Sequence, residues 1–186
     1  MSLRIRTPLH TLVAIPVALI VLGALALSVA AVVEELRFIR AADRTLELVS
    51  TVRTVAAGQK GFAPTAGEDV WADLEHIGQI FPDPGHPNPW GGEVRMTTAA
   101  MNVVGTMAMR IESDVPRHDC RRLALYFLGR QPADLGLLAI EAQPATDSKR
   151  WGAIYPLPAG YKSADLVEAA CGQSSYSRLA LTFRIR

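Results

Sequence analysis

The residues with the most chemical potential in this chain of 186 are Cys120 and Cys171, the first preceded directly by His118 and Asp119. His118-Asp119-Cys120 has the residue types of a cysteine nucleophile beside its base, or of part of a zinc site. Two ligands two residues apart hold no metal without further ligands, and His76 and His86 stand isolated. The competing chemistry is oxidation. An even pair of cysteines in an exported domain reads as a disulfide, and that reading is preferred for Cys120 and Cys171. The chain has no G-x-S-x-G, no H-E-x-x-H, no phosphate loop and no C-x-x-C. Trp71, Trp90 and Trp151 could line a ligand groove, but scattered tryptophans are expected as core anchors. Arg178, Arg184 and Arg186 make a basic strand face that is expected to be solvated. A net charge of +1 supplies no general field for nucleic acid. The expectation is a protein that is not an enzyme, with no cofactor, no metal and no small-molecule substrate.

Whether the cysteines meet an oxidising compartment depends on the stretch that positions everything else. Leu12–Val33 is an uncharged, overwhelmingly apolar run of 22 residues. As a helix it spans about 33 Å, enough for a bilayer core. Arg4 and Arg6 precede it, and no acid occurs before Glu34. The positive-inside rule puts residues 1–11 in the cytoplasm, 12–33 across the membrane and the rest outside. A cleaved signal peptide is the alternative, with Ser28-Val29-Ala30 suiting signal peptidase. The apolar run is longer than a signal-peptide core, so an anchor is preferred. Pro16 is tolerated in a membrane helix as a mild kink. Gly23, Ala24, Ala26, Ser28, Ala30 and Ala31 are small and would let neighbouring helices approach closely.

The helix continues without a breaker through residues 34–57. There Leu36, Ile39, Ala42, Leu46, Val49 and Ala56 recur at helical spacings and form a stripe that needs a partner. Residues 58–186 are long enough for one compact domain to be that partner. Glu68–Ile77 reads as a short helix stopped by Gly78. Phe81–Gly92 holds four prolines and three glycines in twelve residues and reads as a fixed loop into a strand near Glu93–Thr98. Met107–Glu112 alternates as a half-buried strand. Pro116 opens a helix over Arg117–Leu128 with Leu123, Phe127 and Leu128 inward. Leu135–Ala142 is apolar between two prolines and is favoured as a strand. A short strand is read at Ala153–Tyr155, and Ser163 can N-cap a helix to Cys171. Leu179, Leu181, Phe183 and Ile185 alternate strictly with polar or small residues in a final amphipathic strand. It is expected to set that apolar face against the water-exposed half of the long helix.

Taken in order, these features resemble a type IV pilin of the type IVb branch. The resemblance rests on Thr11-Leu12 opening an apolar-to-amphipathic helix and on Asn88-Pro89-Trp90-Gly91-Gly92 between a short helix and a strand. It rests also on the Cys120/Cys171 pair and on the strand that closes the chain. It covers nearly the whole sequence. It implies an α+β fold, a long N-terminal helix packed on an antiparallel β-sheet. It implies a structural subunit of a type IV pilus or a related secretion or conjugation filament, held in the bacterial inner membrane with its domain in the periplasm. Its partners would be other pilin-like subunits and the pilus assembly platform. Family precursors carry a glycine before the prepilin-peptidase cut, then an aromatic or methionine, and a glutamate soon after. Leu9, His10 and Ala14 stand at those positions here. The subunit is therefore expected to be divergent, minor or pseudopilin-like, and not cut by that peptidase. An exported periplasmic binding or sensor module is the alternative from another functional class.

Overall fold

A computed structural model describes residues 9–58, 67–76, 88–99, 107–144, 150–156, 162–172 and 174–185, with side chains from Ile15 onward. The first eight residues, the side chains of Leu9, His10 and Ala14 on which the peptidase-cut expectation rests, residues 77–87 with His86, and Arg186 lie outside this set. The chain divides into two units between Ile39 and Arg40. One helix, α1 (Leu9–Gly58), contributes to both.

The first unit is the apolar part of α1. Its large side chains from Ile15 to Val33, such as Ile20 and Leu27, are exposed. Pro16 sits inside the helix without ending it. A water-soluble helix with no polar face would have no stable place for these side chains. The segment is long and apolar enough to cross a membrane.

The second unit is α+β. After α1 come α2 (Val70–His76), β1 (Val94–Ala99), β2 (Ala108–Pro116), α3 (Arg117–Gly129), β3 (Leu137–Pro144), β4 (Gly152–Tyr155), α4 (Ser163–Cys171) and β5 (Tyr176–Arg184). The strands form one antiparallel sheet in the order β1-β2-β5-β3-β4. The last strand in sequence thus lies at the centre. That position explains why β5 is buried on both faces, Ala180 and Thr182 as well as Leu179, Leu181 and Phe183. Sequence alternation alone suggested a solvated second face.

From Arg40 to its end, α1 packs on the sheet. The buried positions are Ala41, Ala42, Leu48, Val49, Val52, Val55 and Ala56. Their spacings of three and four follow the 3.6-residue turn. The stripe read from sequence needs correction here. Ala42, Val49 and Ala56 belong to it, but Leu46 is only half-buried, and Leu36 and Ile39 are exposed. At about 100° per residue Leu36, Ile39 and Leu46 lie well round the helix from Val52, and the covered face centres on Leu48, Val49 and Val52.

Helix α3 lies on the same face of the sheet. Leu123 joins Leu48 of α1 and Leu179 and Leu181 of β5 around a cavity. The Phe127 and Phe183 rings meet edge-on, their centroids 6.1 Å apart. Leu128, expected inward, is half-exposed, and Ala124 takes its place in the core. Helix α4 packs beside α3 and against β3 and β4. Ser163 is its first helical residue, not its cap; Lys162 holds the N-cap position without a side-chain bond.

Candidate functional site

Cys120 and Cys171 are joined in a disulfide, their Cα atoms 6.0 Å apart. The bond ties α3 to α4 and is fully buried. Arg117 and Arg121 of α3 both reach Glu168 of α4, the first at 2.8 Å. With its sulfur bonded, Cys120 offers no thiolate nucleophile. His118 is exposed, and Asp119 is buried with Arg122 3.6 Å away. His118, Asp119 and Cys120 therefore form no working constellation. Among the described residues, no three of His, Cys, Asp and Glu converge to hold a metal.

Asn88-Pro89-Trp90-Gly91-Gly92 is a tight turn organised by one buried side chain. Asn88 Oδ1 accepts hydrogen bonds from the backbone N–H groups of Trp90 and Gly92, both at 2.9 Å. Its Nδ2 donates to Ser113 Oγ at 2.9 Å and to the carbonyl of Asp114. The backbone closes the turn with Asn88 N–H to Gly92 O at 2.7 Å and Gly91 N–H to Asn88 O at 2.9 Å. Gly91 has φ +85°, a region that favours glycine. A Cβ on Gly92 would lie 2.6 Å from the Asp114 carbonyl oxygen, so no larger residue fits. The motif thus pins the start of β1 to the end of β2.

The three tryptophans do not gather around one pocket. Trp71 is a core anchor whose Nε1 donates to the Val94 carbonyl at 3.0 Å. Trp90 lines the cavity beneath α1, with Arg44, Thr45, Leu48, Ile111 and Leu181 among its neighbours there. That cavity measures about 30 Å³. Small-molecule sites are about ten times larger or more. Trp151 lies on the opposite face of the sheet, where its ring carries the Arg110 guanidinium 4.4 Å from the centroid.

That second face holds a charge network the sequence did not disclose. Glu112 and Glu141 both stand opposite Ala180, one on each side of β5. Arg110 reaches across this row, bonding Glu112 at 2.8 Å and also Glu141. A methyl at position 180 leaves room for the guanidinium above it, and its 1% exposure follows. Burial pulls the Arg110 pKa down, but the bonds to Glu112 and Glu141 more than restore it, leaving it raised. Arg178 pairs with Asp114 at 2.9 Å. Arg95 binds Glu93 at 2.7 Å, which holds the Glu93 carboxyl below its ordinary range. Any stability from that pair is present above the carboxylate range and is lost as pH falls through the lowered value. Glu93 is fully exposed, so the contribution is small. These guanidinium–carboxylate pairs make this face a fixed polar surface.

Arg53 is the other residue that sequence reading missed. Its Nε and Nη2 donate to the Arg184 carbonyl at 3.0 and 2.9 Å, and Nη2 also donates to the Leu135 carbonyl at 2.6 Å. Gly136, at φ +65°, has no Cβ to collide with this guanidinium. The side chain therefore fastens α1 to the end of β5 and to the turn before β3.

The small residues Gly23, Ala24, Ala26, Ser28, Ala30 and Ala31 are all exposed on the first unit. Ser28 Oγ donates to the Ala24 carbonyl at 2.8 Å, which satisfies it within its own helix. Neither a scan of protein-family models nor a search of curated proteins finds a match to this chain.

Proposed function

We propose that this protein is a structural, pilin-like subunit held in a membrane by α1, a divergent or minor member that enters filaments rarely or initiates them. One observation carries the reading. A single helix supplies an exposed apolar segment wide enough for a bilayer and then packs as the spine of an antiparallel sheet. The Asn88–Gly92 turn and the Cys120–Cys171 bond support it, since one pins β1 to β2 and the other ties α3 to α4 without creating a reactive group. The proposed partners are other pilin-like subunits and an assembly platform. The proposed setting is the bacterial inner membrane, with the second unit in the periplasm.

The test is the mass and N-terminus of the native protein, taken from washed membranes and from sheared surface filaments. The expected result is an uncut chain in the membranes and little or none in the filaments. A form beginning at His10 and abundant in filaments would establish an ordinary processed pilin. A soluble form beginning at Ala31 would establish a signal peptide and an exported binding module.

A further inference from the structure

Helix α1 does not lose its apolar surface evenly where its charges begin. On one side Val29, Val32, Leu36 and Ile39 follow at spacings of three, four and three, and all are exposed, Leu36 at 45% and Ile39 at 44%. On another side Glu34 already carries charge and is tied to Arg37 at 3.0 Å.

We propose that Leu36 and Ile39 rest in the membrane interface, and that α1 therefore crosses the bilayer at a tilt toward this ridge. The proposal rests on the anchor reading above. From Ile15 to Ile39 the ridge side of the helix runs 25 residues. That is about 37 Å, against roughly 30 Å of hydrocarbon. Tilting is the ordinary response to such an excess. Because the excess lies on one side only, the tilt has a direction. Two branched side chains one helical turn apart suit the shallow acyl boundary, as on interfacial helices. The continuity of the ridge with the exposed run Ile15–Val33 favours lipid over a second protein as its cover.

The experiment uses the full chain in vesicles of phosphatidylcholine with one quarter phosphatidylglycerol. Both cysteines are bonded to each other, so an introduced cysteine is the single free thiol. A polarity-sensitive fluorophore is placed at Leu36→Cys, Ile39→Cys, Leu22→Cys as a mid-helix reference, and Lys162→Cys as an aqueous reference. The expected result is quenching of the Leu36 and Ile39 probes by shallow brominated lipid. Iodide should quench them severalfold less than the Lys162 probe. If Leu22 lies in lipid while Leu36 and Ile39 are as open to iodide as Lys162, the tilt proposal fails and the anchor stands. Protection from iodide without bromine quenching, together with disulfide-linked dimers of Leu36→Cys, assigns the ridge to a second copy and also overturns it. A Leu22 probe in water removes the anchor reading itself.

Discussion

Asn88 is one residue whose side chain makes four hydrogen bonds, two accepted and two donated. Asn88→Ala should leave several of those groups buried without partners and cost about 2–4 kcal/mol, read as a shift in urea midpoint of the full chain in detergent. Gly92→Ala should act similarly, because its Cβ would meet backbone that has nowhere to move. Arg110→Met leaves Glu112 and Glu141 facing each other without their shared cation. The loss should be about 1–2 kcal/mol at neutral pH, discounted for partial exposure. Urea unfolding of the full chain and of the variant at pH 7 measures that loss. At this scale the cysteine pair was legible, since an even pair without further metal ligands beside it reads as a disulfide. The role of Arg53 was not. Its acceptors are backbone carbonyls, which leave no trace in residue type.

Elements were more legible than their exposure. Strict alternation identified β5, and the Asn88–Gly92 turn stands where the prolines and glycines place the entry to β1. The phase of α1 was misjudged because apolar residues occur on more than one side near Leu36–Ile39, and periodicity cannot say which side the sheet will cover. Leu181 faces α1 and α3 at the cavity and is 4% exposed. Leu181→Asp should therefore destabilise the protein by about 3–5 kcal/mol, since an unpaired charge would be buried. An unchanged melting temperature would contradict the described packing. The α3–α4 tie closes a loop across a separation of 51 residues. Replacing both Cys120 and Cys171 with Ala should cost about 4 kcal/mol in the chain-entropy account. Denaturant midpoints of the oxidised protein and the double variant measure that loss.

The α+β class of the whole molecule was the expectation of the resemblance, and the mixed helical and strand periods along the chain agree with the observed elements. Strand order could not be read from the sequence, since alternation marks a strand without naming its neighbours. Export is the expectation that the apolar run and the cysteines raise together, and it has a direct check. Alkylation of intact cells without reductant should leave both thiols unmodified, and a mass increase at either would place the domain in a reducing compartment. The order β1-β2-β5-β3-β4 also sets a timetable for biogenesis. The β1–β2 and β3–β4 hairpins can form as each is made, but each keeps an open edge until β5 arrives between them. At ribosomal rates of about 5–20 residues per second, β2 waits several seconds for its partner. During that wait, the apolar faces of both hairpins are open to chaperones. The sheet can close only after the central strand has been made, so both hairpins depend on β5 to complete it. A chain stopped before Leu179 should persist as unjoined hairpins and be removed by proteases, which pulse-labelling of truncated and full-length chains would reveal.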